Sequence, residues 1–426
     1  MTEPFELSAL EAVQRINAGD LTAEALMLSC LERVTARDDA VHAWAHLDRD
    51  QAIEAAKAAD SAGNPGPLAG LPVGVKDIID TADMPTRYGS TIYGLNRPNT
   101  DAAIVRKTRA IGGIVMGKTV TTEFAWRNPG PTRNPNHPEH TPGGSSSGSA
   151  AGVADGQFPL AFGTQTAGSV IRPAAYCGAV GYKPTIGTHE RIGVKELSSY
   201  LDTVGTMARS VSDVTFFDYA LRGSNMPDLG AFDGTPPRFG TMVPFRCNAS
   251  DDALTAFDEG CHAAERAGAL VVDIPSSISF EHLGDVHAIV MTGDGGRALA
   301  WEYDHHPERL IRYYRDNIAV GRAISDEGLA AAKMEADAAR KTQQATLFEH
   351  VDVLLTLPAP GEAPKDLGFT GDPLFNKIWT LLGWPCVTIP CGKSANGLPF
   401  GVQVVGPTGE DGRTLAAAAW FERALA

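Results

Sequence analysis

A lysine and two serines in this sequence stand in contexts that could cleave an acyl bond. Lys76 follows the apolar run Leu-Pro-Val-Gly-Val, which predicts a buried strand. Burial disfavours the charged ammonium, so such a lysine has a lowered pKa and can act as a general base. Ser145 and Ser169 each lie in a glycine-rich turn, where a hydroxyl that loses its proton to a base becomes a nucleophile. Together, the three side chains could carry out acyl transfer through a covalent serine intermediate.

Each of these residues also has an ordinary structural interpretation. A lysine at the end of a strand usually points to water, and a serine beside glycine often hydrogen-bonds to its own backbone. Sequence spacing alone does not bring Lys76, Ser145 and Ser169 together. The residues by themselves therefore leave open both a Ser-Ser-Lys hydrolase and a set of structural residues.

The residues just before Ser169 have small side chains. Thr166, Ala167 and Gly168 offer successive backbone N–H groups, and the chain can approach a ligand closely there. Such donors could surround the oxyanion that develops when a serine attacks a carbonyl. We therefore expect these three residues to bind the substrate.

Two familiar motifs occur in the wrong context. Residues 112–119, Gly-Gly-Ile-Val-Met-Gly-Lys-Thr, match the phosphate-loop pattern, but a predicted helix precedes them and apolar residues fill the loop. Residues 144–148 match the Gly-x-Ser-x-Gly elbow of α/β-hydrolases, but a loop precedes them where a strand is needed. We therefore expect neither nucleotide binding nor an elbow-type hydrolase.

The elements that must position these residues alternate between helix and strand. Ser8 and Thr22 fit the N-caps of two opening helices, and residues 102–111 predict a helix that stops at two glycines before a strand. Apolar runs predict further buried strands at 158–162, 269–274, 352–358 and 385–390. The expected fold class is therefore α/β, with a large central mixed sheet covered by helices.

Composition bears on the protein's partners and location. The net charge of −15 and the absence of a basic run argue against a nucleic-acid surface. No apolar run is long enough to span a membrane and the N-terminus lacks a secretory signal, so we expect a cytoplasmic protein with no membrane partner. The six cysteines form no Cys-x-x-Cys pair, and we expect neither a metal site nor a cofactor.

Several long motifs resemble the amidase-signature family. They are Gly-Val-Lys-Asp at 74–77, Pro-Gly-Gly-Ser-Ser-Ser-Gly-Ser-Ala-Ala-Gly-Val-Ala at 142–154, and the run from Gly163 to Thr185. The separations of 69 residues from Lys76 to Ser145 and 24 from Ser145 to Ser169 are also similar to those of that family. The resemblance fades after Asp213 and resumes at 375–392 and 397–406, so it extends over nearly the whole chain.

The resemblance implies a single α/β/α amidase domain over residues 1–426. Its signature core would occupy residues from about 65 to 213. A variable elaboration on the substrate side would follow at about 214–350, and residues 351–426 would return to the core as its C-terminal part. It also implies that Ser169 is the acyl nucleophile, Ser145 the proton bridge and Lys76 the base. In this family the bridging serine typically follows a cis peptide bond, which is implied here between Gly144 and Ser145.

Some positions depart from the family pattern. Gln165 stands where many members have Asp, Ala167 where Gly is usual, and Arg172 comes three residues after the nucleophile instead of two. These changes imply that an Asp-to-Arg contact beside the nucleophile is missing or rebuilt. By resemblance, Phe124 and Trp126 would line the acyl pocket, although both could equally be core residues, and Arg127, three residues after Phe124, could receive a substrate carboxylate.

The sequence leaves three functions to compare. The first is a stand-alone amidase that hydrolyses a small linear, aryl or ureido-type amide and releases ammonia or an amine. The second is an amidotransferase A-type subunit in a partner-dependent transfer-RNA amidation complex, and the third is a non-catalytic binding protein on the same fold. We favour the first, with a small-molecule amide as partner, no nucleic acid, and the homodimer that the family commonly forms.

Overall fold

The computed structural model describes residues 2–63, 66–275 and 279–426. The expected start of the signature core, near residue 65, lies outside these ranges. The helices in the described part are α1 Ala9–Ala18, α2 Ala23–Val41, α3 Arg49–Ser61, α4 Ala103–Ala110, α5 Ser147–Ala154, α6 Ile171–Cys177, α7 Val211–Arg222, α8 Asp251–Arg266, α9 Phe280–Ala298, α10 Ala300–His305, α11 Arg312–Ala323, α12 Asp326–Leu347, α13 Lys377–Leu381 and α14 Asp411–Leu425. The strands are β1 Trp44–Leu47, β2 Pro72–Lys76, β3 Ile114–Thr119, β4 Leu160–Gln165, β5 Val180–Lys183, β6 Thr203–Ala208, β7 Arg238–Thr241, β8 Leu270–Asp273, β9 Val353–Thr356, β10 Cys386–Lys393 and β11 Pro399–Val405.

All of these strands belong to one 11-stranded sheet with the order β1-β3-β2-β4-β6-β5-β10-β11-β9-β7-β8. The pairs β3–β2, β2–β4, β9–β7 and β7–β8 are parallel, and the others are antiparallel. The sheet is therefore mixed, and the chain forms a single α/β domain. This confirms the expected fold class.

The opening helices form where the capping residues predict them. Ser8 and Glu11 make a reciprocal capping box at the start of α1, and the Thr22 hydroxyl accepts a hydrogen bond from Ala25 N at the start of α2. The buried side of α1 carries Val13 and Ile16. Packing of these apolar faces therefore attaches the N-terminal helices to the rest of the domain.

The strands at the centre of the sheet are buried, as their apolar runs predict. Every residue of β2, β3 and β4 is buried. The predicted strand at 269–274 differs, because β8 is an edge strand and Leu270 is 54% exposed. An apolar run predicts a strand but not whether both faces of that strand are covered.

Parallel pairing brings the ends of β2 and β4 to one edge of the sheet. Lys76 is the last residue of β2, and Gln165 is the last residue of β4. Strand β6 runs antiparallel to β4 and begins at this edge, so Asp202 lies just before it. The residues that follow these strand ends form the candidate site.

The segment between residues 214 and 350 contributes strands and helices to the same domain. Strands β7 and β8 join the main sheet, while α9 packs against α11, α12 and α13. Apolar residues of α9, including Leu283 and Val290, share a buried cluster with Trp379 of α13. In the described ranges no helix combines the length and the apolar character that crossing a membrane requires.

Candidate active site

Lys76 and Ser145 are in hydrogen-bonding contact inside the protein. The Nζ atom of Lys76 lies 2.8 Å from Oγ of Ser145 and 2.8 Å from Oγ1 of Thr164, and both serine and lysine are buried. The carbonyl oxygen of Thr164 lies 3.4 Å from the same Nζ. The amine is therefore held between two hydroxyl groups.

Burial sets the protonation of Lys76. Lys76 is fully buried, and the resulting desolvation lowers its pKa well below 10.5. The nearby Asp202 acts in the opposite direction, but it is itself buried, and burial raises the pKa of its carboxyl group. Hydrogen bonds from the Thr166 hydroxyl and from Leu197 N and Ser198 N satisfy the Asp202 oxygens.

The loop that carries Ser145 is fixed by its backbone. The peptide bond between Gly144 and Ser145 is cis, which confirms that implication of the resemblance. The Ser145 carbonyl accepts hydrogen bonds from Thr122 N at 3.1 Å and Ser147 N at 2.9 Å. The carbonyl of Gly144 accepts a hydrogen bond from Nη2 of Arg172 at 2.7 Å. Several elements therefore hold the serine at the amino end of α5.

The turn that carries Ser169 is fixed through its carbonyl oxygens. The Thr166 carbonyl lies 3.0 Å from Nε2 of His287, and the Ala167 carbonyl accepts a hydrogen bond from the Thr380 hydroxyl at 2.7 Å. The Ser169 carbonyl accepts a hydrogen bond from Ser146 N at 3.3 Å, which joins the two serine loops. Side chains from α9 and α13 therefore help to shape this turn.

Within the described residues, the backbone N–H groups of this turn have no acceptor. This applies to Ala167, Gly168 and Ser169, in a turn whose carbonyl groups are all bonded. Each held carbonyl orients its own peptide plane and thus the N–H group of the next residue. The free donors can therefore bind an anionic oxygen in front of Ser169.

Gln165 joins the end of β4 to the start of α6 and to Thr380. Its Oε1 accepts hydrogen bonds from Val170 N at 2.9 Å and Ile171 N at 3.1 Å, at the start of α6. Its Nε2 donates to Thr380 Oγ1 at 3.0 Å. Arg172 instead contacts the carbonyls of Gly144 and Thr370. In the described chain, Gln165 and Arg172 therefore make no hydrogen bond to each other and have separate partners.

A cavity of about 430 Å³ opens over Ser169. Thr166 and Ala167 line it on one side, and Trp126 and Arg127 lie on another. The remaining lining residues are Ala125, Arg172, Gly284, His287, Ala288, Met291, Thr292, Tyr313, Asn317, Phe369, Thr370, Gly371, Asp372, Pro373 and Lys377. The cavity is large enough for a small molecule.

The two aromatic residues expected in the pocket occupy different places. Trp126 lines the cavity and stacks on Tyr314, with ring centroids 5.4 Å apart. Phe124 is not among the cavity-lining residues and packs in a buried apolar cluster with Leu197 and Leu299. Phe124 and Ala125 both have positive φ, and this backbone bend turns Trp126 towards the cavity.

Several residues of the site have no clear signal in the sequence. Thr164 looks like an ordinary strand residue, and His287 and Thr380 lie more than a hundred positions from the turn that they contact. From the sequence alone, a buried histidine of α9 cannot be distinguished from any other buried polar residue, because its role depends on where α9 packs. Gln165, Ala167 and Arg172 could be singled out in the sequence, because they depart from a family pattern.

The sequence matches a known protein family over most of its length. A family model described as Amidase matches residues 25–415. The chain is 34% identical over 485 aligned residues to the A-type subunit of glutamyl-tRNA(Gln) amidotransferase from Salinispora arenicola (strain CNS-205), with 100% of this chain and 98% of that protein covered. The protein of the same name from Thermobifida fusca (strain YX) is 31% identical, with 100% and 97% covered.

Solved structures of amidases share the fold of this chain. A crystal structure of an amidase has a TM-score of 0.89 and 31% identity, and covers 99% of this chain and 100% of its own. The native peptide amidase from Stenotrophomonas maltophilia has a TM-score of 0.84 and 27% identity, with 99% and 97% covered. The mixed sheet covered by helices is therefore shared with amidases.

One expectation from composition is wrong. From the net charge of −15 we expect no nucleic-acid partner, and from the favoured amidase function we expect a small-molecule amide as the partner. The curated relatives are named as subunits, and their names refer to a glutamyl-tRNA. Net charge is an average over the whole surface, so it excludes neither a local contact nor a contact made through another protein of an assembly.

These matches extend over almost the full length of the chain. The family model leaves only short ends unmatched, and the relatives above 30% identity align from end to end. The chain therefore belongs to the Amidase family, the amidase-signature enzymes.

Proposed function

We propose that this protein cleaves an amide C–N bond through an acyl-enzyme on Ser169. The observation that carries the proposal is the contact between the buried, desolvated amine of Lys76 and the Ser145 hydroxyl, beside a turn with free N–H donors. A neutral amine at 2.8 Å can accept the Ser145 proton. A protonated surface lysine has no such capacity.

The proton path follows the order of the three residues. Lys76 takes the proton of Ser145, and Ser145 takes the proton of Ser169 as its Oγ forms a bond to the substrate carbonyl carbon. The C–N bond then breaks, and the proton returns through Ser145 to the leaving nitrogen, which departs as neutral ammonia or amine. Water then attacks the ester, which releases the acid and restores the Ser169 hydroxyl.

The turn before Ser169 supplies the electrostatic part of the mechanism. The N–H groups of Ala167, Gly168 and Ser169 face no protein acceptor in the described chain, and they would bind the oxyanion of the tetrahedral intermediate. His287 and Thr380 hold two of the peptide groups that carry these donors. The donors are thereby oriented before substrate binds.

The curated relatives favour a setting in which the released ammonia is used by a partner. The relatives from Salinispora arenicola and Thermobifida fusca are both named as amidotransferase subunits of the A type. We therefore infer that this chain is the amide-cleaving component of an assembly that amidates a tRNA-linked acceptor. Solved structures similar to this chain include amidases, and hydrolysis with ammonia released to solvent is the alternative outcome of the test.

Ammonia release by the purified chain separates these functions. A panel of primary amides, glutamine among them, is tested with wild type, Ser169→Ala and Lys76→Ala. Release by the isolated wild-type chain that both variants lose supports amide cleavage without a partner. Release that appears only with partner proteins and acceptor supports the amidotransferase role. Release that survives in Ser169→Ala contradicts the assignment of the nucleophile.

A further inference from the structure

A buried carboxylate, that of Asp202, lies beside the base of the proposed mechanism. Asp202 directly precedes β6, and its side chain is buried. In the described part of the chain, it is the charged side chain that acts on Lys76. Proton transfer among Lys76, Ser145 and Ser169 leaves this carboxylate without a role. A buried charge of this kind is costly, so its presence beside a base calls for an explanation.

The register of the sheet places Asp202 and Lys76 on the same side of β4. The antiparallel register of β4 and β6, extended by one residue, sets Asp202 opposite Thr166. Side chains two residues apart along a strand point to the same side. The Thr164 hydroxyl lies 2.8 Å from Lys76 Nζ, and the Thr166 hydroxyl donates to Asp202 at 2.6 Å. The amine and the carboxylate are therefore offset by two residues, which is about 7 Å along the strand.

The partners of Asp202 match an ionised carboxylate. Burial raises the pKa of its carboxyl group, while hydrogen bonds and the nearby guanidinium of Arg191 act in the opposite direction. One oxygen accepts from the Thr166 hydroxyl, and the other accepts from Leu197 N at 2.9 Å and Ser198 N at 3.0 Å. An ionised carboxylate is an acceptor only, so three donors aimed at its two oxygens favour the negative charge.

Base catalysis creates a positive charge inside the protein. In the proposed reaction the proton that leaves Ser169 ends on Lys76 by way of Ser145, while an electron pair of the carbonyl bond becomes the oxyanion. The N–H donors of the turn can stabilise the anion. Lys76 Nζ, however, contacts only neutral groups in the described chain, namely two hydroxyls and the Thr164 carbonyl. A buried ammonium without a counter-charge is costly.

The other ionisable groups around this corner have partners of their own or are neutral. Two of them are acids that pair with lysines, and Arg191 donates to the carbonyls of Ser198 and Ser199. The full set is Asp77 with Lys118, Asp294 with Lys333, Arg191, the neutral His287 on the Thr166 carbonyl, and Lys377 beyond His287. In the described residues, Asp202 is therefore the carboxylate available to balance a charge on Lys76.

We propose that Asp202 is the counter-charge of Lys76, and that its ionised carboxylate stabilises the ammonium formed when Lys76 takes the Ser145 proton. The inference rests on the proposed function, because this ammonium forms only if Lys76 is the base. Asp202 does not touch the reacting atoms, so it is a positioning residue that acts through Lys76. A purely structural role, in which Asp202 only closes the loop at 197–202, is the alternative that the test must separate.

Asp202→Asn removes the charge and preserves the hydrogen bonds. The amide oxygen can accept from Leu197 N and Ser198 N, and the amide NH₂ can donate to the Thr166 hydroxyl, which then accepts. The rate at which a fluorophosphonate labels Ser169 is measured across about pH 5 to 10, with melting temperatures in parallel. The low-pH limb that Lys76→Ala lacks reports protonation of Lys76.

We expect the midpoint of this limb to move to lower pH in Asp202→Asn. The shift should be roughly 1 to 2 pH units, which is the interaction of two unit charges about 7 Å apart at an effective dielectric constant of about 20. Above the limb, labelling should slow roughly tenfold, because Lys76 becomes a weaker base. Asp294→Asn is the control, since Asp294 bonds to the same loop but pairs with Lys333, and its midpoint should equal that of wild type.

A midpoint that stays the same or moves to higher pH overturns the inference. Slower labelling with an unchanged midpoint would show a structural role for Asp202. If Asp202→Asn does not fold, Asp202→Ser carries the same prediction, because serine is neutral and leaves room for a water molecule. Wild type that fails to label at Ser169 removes the proposed function instead. Labelling of Ser169 without the shift leaves amide cleavage standing and removes only the counter-charge.

Discussion

A buried amine between two hydroxyl groups is the central feature at the scale of single residues. Lys76 contacts Ser145 and Thr164, and burial keeps the pKa of its amine well below 10.5. In the unfolded chain the same amine is exposed and protonated at neutral pH. The group that serves as base therefore destabilises the folded protein.

Replacing Lys76 by methionine should stabilise the fold while it removes activity. Between the lowered folded pKa of Lys76 and its unfolded value of 10.5, the unfolded chain binds one more proton than the folded chain. The free energy of unfolding therefore rises with pH in this window, by about 1.4 kcal/mol per pH unit for one proton. In Lys76→Met this contribution disappears, so the variant should gain stability over wild type at neutral pH and lose that gain as the pH approaches 10.5.

Denaturant unfolding at several pH values measures this difference. Lys341→Met serves as the control, because that lysine is exposed on α12 and its loss should leave the slope with pH unchanged. The interpretation that Lys76 is buried and neutral would be contradicted in either of two cases: if Lys76→Met is less stable than wild type at neutral pH, or if its free energy of unfolding changes with pH at the same slope.

Residues whose local context is unusual can be predicted from the sequence. Lys76 ends an apolar run, and Ser145 and Ser169 lie among glycines, so each can be named and the family motifs then relate them. Thr164, His287 and Thr380 cannot be predicted, because their roles depend on contacts between distant parts of the chain. The resemblance places Phe124 at the pocket, but its ring lies in an apolar cluster instead. Side-chain direction after a bend with positive φ cannot be predicted from residue type.

At the scale of elements, α9 is the wall that closes the site. It presents Gly284, His287 and Met291 to the cavity, at the spacing of one helix face. His287 is buried, and desolvation lowers its pKa to about 4, so the ring is neutral at physiological pH. Its Nε2 must carry the proton, because a carbonyl oxygen can only accept.

His287 should matter for the transition state more than for substrate binding. In His287→Leu the Thr166 carbonyl loses its donor, and the peptide group that presents Ala167 N–H is no longer held. We expect kcat to fall roughly tenfold with KM little changed, which is less than the loss of a direct oxyanion donor. His287→Gln retains a donor at a similar position and should recover most of kcat. Steady-state kinetics of both variants, with melting temperatures measured in parallel, provides the comparison.

A purely structural role for His287 would give another pattern. The two variants would then lose kcat in proportion to lost stability, and glutamine would give no selective recovery. Unchanged kcat in His287→Leu would show that His287 does not orient the N–H donors of the turn before Ser169.

At the scale of the whole molecule, the end of the chain completes the centre of the sheet. Strands β10 and β11 lie between β5 and β9, although they follow all other strands in the sequence. The apolar runs predict that these strands exist, but their place depends on pairing with partners far apart along the chain, such as Cys386 with Lys183. Fold class could therefore be predicted from the sequence, whereas strand order could not.

Removal of residues 351–426 should abolish folding. It deletes β9, β10 and β11, separates β5 from β7, and leaves unpaired edges in the middle of the sheet. We expect the truncated chain to aggregate or to lack a cooperative thermal transition in circular dichroism. A chain shortened by only residues 424–426 is the control and should melt like wild type. A cooperative transition in the longer truncation would show that the first 350 residues are an independent domain.

The most direct test of the central claim is covalent labelling of Ser169 by a fluorophosphonate, followed by intact-protein and peptide mass spectrometry. It requires no knowledge of the substrate or of any partner. If Ser169 is a nucleophile activated by Lys76, we expect one adduct on the peptide that contains Ser169, its loss in Ser169→Ala, and labelling slowed at least roughly 100-fold in Lys76→Ala. An adduct that persists in Ser169→Ala, or labelling at an unchanged rate in Lys76→Ala, would contradict this assignment.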